Sequence, residues 1–552
     1  MMIISGLLGI HIPTTKTLRA VMLVAVALGA GAVFGQGHTL WQDGGVRLCG
    51  GSSGMPMTAT SDSAGGAIVV WQDNRSQPPY PSLYAQRVDA AGVPLWADDG
   101  VLVCYPDGGG WLAATDDGRH GVLAVWSGGL LAVQRVSADG AALWGPQGLE
   151  LRPPNIEFGY MPALVRDGHG GAIVVWTVFN PYAEADTLIA SRVDSSGTKQ
   201  WETVVRADTM YDPPSLCPDG LGGVIIAWSE DGITGPVRVQ RVDSAGAIRW
   251  ASSGVLACTL STVKAARTCV AVGESCFVVG FAIGPGDTWH NRAQMFDLAG
   301  NRLWGPTGVP VAGTTYASSG DVVLPADDHR QSIWLWYENR TGARDFFAQK
   351  LDSAGSRRWD SAGVFVGSSG STPQGGFSAT VDGKGGAIAA WPLFRTDGSS
   401  DIYAQHVDSA GHLCWSDTGL AVCRDPSRQE WTPDVVTDGD GGAIIAWHSY
   451  QSGVGSGTYA QRVADGSGVE EPLNAEVQAT NTGPTVVRGV LDLQVGSRQN
   501  TGYRAELADV SGRKVLDLQP GANDVRALAP GVYFVRKAQA QAQAVQKVII
   551  TR

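Results

Sequence analysis

The side chains that could do chemistry in this sequence recur rather than cluster. A carboxylate recurs at the end of the first strand of the copies, at Asp62, Asp117, Asp167, Asp219, Asp327, Asp382 and Asp438, and in all of these but Asp327 it opens a Gly-rich turn. The richest copy, "DGDGG" at 438–442, carries two carboxylates and could hold calcium, an ion that takes oxygen ligands. The same pattern serves a tight turn, because Gly supplies positive φ and Asp accepts from its own backbone. Most copies carry a single carboxylate, which favours the turn, so calcium is left open and no other cofactor is expected. The nine His are scattered, with no His-Glu-x-x-His pair. No residue is therefore assigned a catalytic, cofactor-binding or metal-ligating role.

The eight Cys include no Cys-x-x-Cys pair. Cys49, Cys104, Cys258 and Cys423 each follow a recurring Trp by eight residues, where other copies carry Ala312 or Gly367. A buried small side chain explains such a position. Cys269 and Cys276 flank an expected hairpin turn and could form a disulfide in an oxidising compartment.

The elements that must position these residues are repeats. The signature Asp-x-x-Gly-x-x-x-Trp, as in "VQRVDSAGAIRW" at 239–250, returns through residues 40–468. Its Trp falls at 96, 144, 201, 250, 304, 359 and 415, and Trp41 of "LWQDGGVRLC" supplies an eighth. The last copy lacks the closing Trp segment that the N-terminus carries in excess. That offset predicts a ring closed by an N-terminal strand. Each copy also carries a run such as "GGAIVVW", apolar on both faces, which suits a strand covered on both sides. Four short strands per copy around a channel is the β-propeller arrangement. The expected fold is all-β: an eight-bladed β-propeller closed by an N-terminal strand, followed by a small C-terminal β-sandwich. Trp41, Trp96, Trp144, Trp201, Trp250, Trp304, Trp359 and Trp415 are expected to pack blade on blade.

Function is expected where the copies differ. The first and third turns of each copy are short and uniform, whereas the other two connections share the opposite face and vary. Trp111, Tyr160, Tyr182, Trp289, Tyr337 and Trp431 lie in or beside these variable segments and form the candidate ligand face. An aromatic, uncharged face suits an extracellular glycan or protein ligand.

Composition bounds the setting. The chain has 552 residues with 74 Gly and 19 Trp, a composition of strands and tight turns. A net charge of −12 gives no basic footprint for nucleic acid. Lys16 and Arg19 precede the apolar run 20–34, which reads as a cleaved secretory signal over 1–35 rather than a span. No later segment is long and apolar enough to span a membrane. The expected division is 1–35 signal peptide, 36–468 propeller, 469–484 linker and 485–552 sandwich. The expected product is a secreted or outer-surface monomer.

Two resemblances sharpen this. The repeat signature resembles the tryptophan-docking motif of quinoprotein (PQQ-type) eight-bladed propellers, with Asp243, Gly246 and Trp250 matching in role and the Asp–Gly spacing one residue shorter. No vicinal Cys pair of the kind that flanks the quinone is present. The segments "AELADVSGRKVLDL" (505–518), "GANDVRALAPGVYFVR" (521–536) and "QKVIITR" (546–552) resemble the type A C-terminal sorting domain of the type IX secretion system. Gly512, Arg513, Pro530, Gly531, Tyr533 and Lys547 fall on its motif positions, as do Asn523, Leu528 and Phe534. That resemblance implies secretion machinery as a partner, followed by release or attachment at the cell surface. The functional expectation is an exported, non-catalytic binding or adhesion module. The alternative is an exported enzyme on a propeller scaffold: a polysaccharide lyase, a glycosidase or a PQQ-type dehydrogenase.

Overall fold

A computed structural model describes residues 37–465 except 51–52, 76–80, 106–109, 129–130, 152–158, 179–185, 209–212, 231–234, 261–262, 285–288, 314–317, 328–329, 339–343 and 371–375. Beyond these it describes 485–487, 490–493, 504–509, 513–518, 521–526, 528, 531–539 and 542–550. The expected signal peptide, the linker, Tyr182, Gly512 and Pro530 lie outside the described residues. Every regular element described is a strand. The chain divides into two compact units, 1–467 and 468–552.

In the larger unit, strands Ser53–Ser61, Ala67–Asp73, Ser82–Val88 and Val101–Cys104 pair antiparallel in chain order. Five more four-stranded sheets, at 111–150, 159–208, 215–256, 263–310 and 318–368, repeat that order. The remaining strands form one nine-stranded sheet. It consists of a four-strand unit and a five-strand unit that meet through the single parallel pair Ser400 and Gln429. The first of these spans 378–423. The second takes three strands from 429–465 and its outer edge from the opposite end of the chain. There Gly37 pairs with Asp465 and Val46 with Ala460.

The innermost strands of successive units lie side by side, and that of the last unit, Gln429–Thr437, returns to Ser53–Ser61 of the first. Asp434 ties this junction from both sides. One of its oxygens accepts the Ala59 N–H at 2.8 Å, and the other accepts the Ser378 hydroxyl at 2.9 Å. Four-stranded sheets repeated radially in this way are a β-propeller.

The apolar runs explain why the sheets stack. Ala67–Asp73 is buried along its whole length, as are Ala172–Val178 and Val224–Ser229. Each run ends near a buried aromatic: Trp71, Trp126, Trp176, Trp228, Phe281, Trp336, Trp391 or Trp447. In every unit but the third, that ring lies against a glycine just ahead of its own unit's outer strand. A Cβ on Gly100 would stand 2.7 Å from the Trp71 ring, and one on Gly45 would stand 2.5 Å from the Trp447 ring. Gly45 belongs to the N-terminal segment, so that segment completes the last unit as Gly100 completes the first.

Cys49, Cys104, Cys258 and Cys423 are buried. The expected Cys269–Cys276 pairing is corrected. Cys269 stands opposite Val279 and Cys276 opposite Val272, so antiparallel register separates them. The Cys269 sulfur instead lies 3.0 Å from that of Cys217, across the innermost strands of two adjacent sheets.

The smaller unit holds a five-stranded sheet, in the order Thr485–Val487, Ala542–Ile550, Gly531–Gln539, Arg504–Asp509, Lys514–Leu518. Val490–Leu493 and Gly521–Asp524 form a second, two-stranded sheet. Leu507, Leu518, Val525 and Tyr533 are buried. The alternating Ala-Gln run at 538–546 falls across a hairpin, in which Gln539 pairs with Ala542, rather than on a single strand.

Candidate functional site

The repeated polar residues are used up by the architecture. In the first unit one Asp62 oxygen accepts the N–H groups of Ala64 and Gly66, and the other accepts Arg87 Nε at 2.9 Å. Arg87 also donates to the Ala138 carbonyl of the next unit, at 3.3 Å. The Trp96 indole donates to that same oxygen at 3.0 Å. Gln86 fixes the Trp96 segment by accepting its backbone N–H and donating to the Ala97 carbonyl.

The pattern recurs. Trp41, Trp144, Trp201, Trp250, Trp304 and Trp359 donate to the carbonyls of Ala90, Ser195, Ser244, Leu298, Ser353 and Ser409 in the following unit. Trp415 donates instead to the Asp465 carboxylate at 2.8 Å. Each turn that receives an indole on a carbonyl also brings a glycine under it. Gly246 has φ +85 and a Cβ there would lie 2.8 Å from Trp201. In "DGDGG" one Asp438 oxygen accepts the N–H groups of Asp440 and Gly442, and the other accepts Arg462 Nε at 2.8 Å. Both oxygens are thus engaged within the fold.

The opposite edge carries the variable connections, and there the register brings three of the candidate aromatics to one place. Trp111 pairs with Ser127, Tyr160 with Thr177 and Trp431 with His448. Each partner directly follows a core Trp (126, 176 or 447) on the second strand. Trp111, Tyr160 and Trp431 therefore occupy equivalent positions near the start of three innermost strands, around the mouth of the ring. Tyr337 stands across from that level, as the residue after core Trp336, paired with Ser319. Trp289 is not brought there. It precedes His290–Asp297, the third strand of its sheet, and is half-buried.

Trp111 is 48% exposed, while Trp431 is half-buried with its ring 6.5 Å from that of His448. A β-bulge follows both Tyr160 and Trp431, with Met161 at φ 51 and Thr432 at φ 46. Bulges re-aim neighbouring side chains. Their trace in the sequence is the pair Met161-Pro162 and Thr432-Pro433, since Pro cannot donate to a ladder.

Sequence reasoning missed the arginines of this edge. Arg75 lies over the Tyr84 ring at 4.1 Å, Arg344 over Tyr337 at 4.6 Å, Arg428 over Tyr459 at 5.1 Å and Arg424 over Tyr403 at 5.7 Å. The signal was available as a Tyr before the Ala-Gln pair in three copies. Glu430, beside Trp431, is fully buried. Burial pushes its carboxyl up to about 7, against the opposing pull of the Ser449 hydroxyl and the Arg428 charge.

In the smaller unit Arg513 is exposed and Tyr533 buried, while Gly531 and Lys547 lie within paired strands.

No family model and no curated protein matches the chain. Among solved structures it is similar to an ulvan lyase of a polysaccharide lyase family. That likeness is 12% identical, covers 68% of this chain and 96% of that one, and has a TM-score of 0.40. It is also similar to the β-propeller domain of the trilobed protease from Pyrococcus furiosus, at 10% identity, 77% and 97% coverage, and a TM-score of 0.37. A Dyadobacter fermentans protein of unknown function is similar at 8% identity, 78% and 98% coverage, and a TM-score of 0.35.

Proposed function

We propose that the chain is an exported eight-bladed propeller that binds an extended extracellular ligand, a glycan or a peptide, at the mouth edged by Trp111, Tyr160 and Trp431. The observation that carries this is their shared register on three innermost strands. Aromatic residues at one level of a ring-shaped opening suit the apolar faces of sugars or the side chains of an extended peptide. The arginine–tyrosine stacks of the same edge add donors that would orient polar groups. Support for eight blades comes from the eight innermost strands that neighbour one another in a cycle. The docking tryptophans serve as clasps between blades.

Glu430 is a buried carboxyl near the mouth that is pushed towards neutrality, as a general acid would need. Its full burial, with the Ser449 hydroxyl donating to it at 3.0 Å, favours a structural role over acid–base catalysis. Binding without turnover is therefore preferred to the enzyme reading. A glycan and peptide array probed with residues 36–468 tests it, scored for retention and for product release. Retention without release supports binding, and release of cleaved product would replace it with the enzyme reading.

The smaller unit is proposed to be a sorting module that packs as a β-sandwich and directs passage across the outer membrane. Supporting this are the order of its motif segments and the antiparallel pairing of the Tyr533 and Lys547 strands. Deletion of 475–552 should leave the protein in the periplasm; surface display of the truncated chain would refute it.

A further inference from the structure

The clasp between the last two units of the ring departs from all the others in three residues, and the three departures meet. Where five units place an arginine, at positions 87, 135, 192, 241 and 462, the seventh places His406. Where other clasps receive the indole on a backbone carbonyl, this one uses the Asp465 carboxylate. Where the residue before the docking Trp is Leu40, Leu95, Leu143, Gln200, Arg249, Leu303 or Arg358, this unit has Cys414. Ligand atoms of His406, Cys414 and Asp465 all lie within 4.8 Å of one another. His406 Nδ1 faces Asp465 Oδ1 at 2.8 Å.

We propose that His406, Cys414 and Asp465 form a site for a thiophilic divalent cation of the zinc class, seated at the seam where the ring closes. Imidazole, thiolate and carboxylate are the ligand set zinc accepts, and around a tetrahedral ion such atoms stand about 3.5 Å apart. A contraction of the sulfur, with a small opening of the His406–Asp465 contact, brings the three to that spacing. The fourth position is left to water or an incoming ligand. The imidazole is already oriented for this. Its other nitrogen, Nε2, faces Asp382 Oδ2 at 3.0 Å, which is the carboxylate–histidine–metal arrangement that fixes ring orientation in zinc sites.

Access and fold also fit. His406 is buried, Cys414 half-buried and Asp465 exposed, so the site opens outward through the last two. Five units keep the clasp with an arginine and two others with Met295 or Lys350, hence the seam needs no imidazole for packing alone. An ion held between the seventh unit and the end of the eighth would lock the two units whose boundary lacks a closing turn.

The test is Co2+ added to the tag-free full chain, followed by Zn2+. One equivalent is expected to bind with thiolate-to-cobalt charge-transfer absorption and tetrahedral d–d bands, and Zn2+ should abolish both. The other seven Cys are buried, so the charge-transfer band reports Cys414. Cys414→Ser, a change at a half-exposed position, should remove that band and weaken binding at least tenfold. His406→Arg, which restores the residue of five other units, should remove binding while preserving thermal stability. No charge-transfer band in the wild type, or a band that survives in either variant, overturns the proposal.

Discussion

Trp41 and Ala90 are 49 residues apart, and the Trp41 indole donates to the Ala90 carbonyl at 3.1 Å. The same clasp joins every unit but the seventh to its successor, yet Trp41 belongs to the last unit. Its backbone N–H donates to Gln461 Oε1, and Gln461 donates in return to the Gln42 carbonyl. The N-terminal segment is thus held by the final strand and docks on the first sheet.

Docking tryptophans should differ in cost with burial. Trp415 is 1% exposed, whereas Trp201 is only partly buried. Trp415→Ala should cost about 3–5 kcal/mol, as for large-to-small core changes. Trp201→Ala should cost less. Urea unfolding of the two variants measures the difference, and equal losses would count against the clasp geometry.

Two adjacent glycines separate backbone from packing. Gly44 has φ +77 with nothing near its missing Cβ, while Gly45 has φ +83 and would clash with Trp447. Gly44→Ala should lose about 1 kcal/mol, from the left-handed backbone alone. Gly45→Ala should lose a further 1–3 kcal/mol through overpacking. Thermal melts of both report the contrast.

Much of the ring was legible because its landmarks are geometric necessities. A Trp that docks, a Gly that admits it and a strand apolar on both faces leave fixed spacings, as at Asp243, Gly246 and Trp250. The mouth was legible only as an inventory of aromatics. Bringing Trp111, Tyr160 and Trp431 to one level depends on bulges, which shift register by a residue and leave only a Pro as trace. The Cys217–Cys269 approach was invisible because it joins different copies across the innermost strands. The His406 seam was hidden for a related reason: Asp465 lies where the last copy loses its closing segment, so no repeat alignment assigns it a role.

Glu430 makes stability depend on pH. Its folded carboxyl is pushed up to about 7 from an ordinary value of 4.5. A raised carboxyl favours the folded state while protonated, so its contribution is present below about pH 4.5 and is lost as pH rises to 7. Glu430→Gln should match the wild type near pH 4 and exceed it at pH 8, by on the order of 3 kcal/mol. Chemical unfolding at the two pH values tests the sign.

Cys217 and Cys269 should cross-link when the chain folds in a glutathione redox buffer. Two thiols are oxidised to one disulfide while oxidised glutathione is reduced to two thiols. Closing a loop of 52 residues should add roughly 4 kcal/mol by the chain-entropy account. Peptide mapping identifies the pair, and Cys276→Ser should leave it intact.

Binding at the mouth is the central claim, and affinity for an array-selected ligand tests it most directly. Isothermal titration of the propeller with that ligand should give saturable binding. The double variant Trp111→Ala/Trp431→Ala should lose at least a hundredfold in affinity while keeping the wild-type circular dichroism spectrum. Undiminished affinity in a folded double variant would contradict the account.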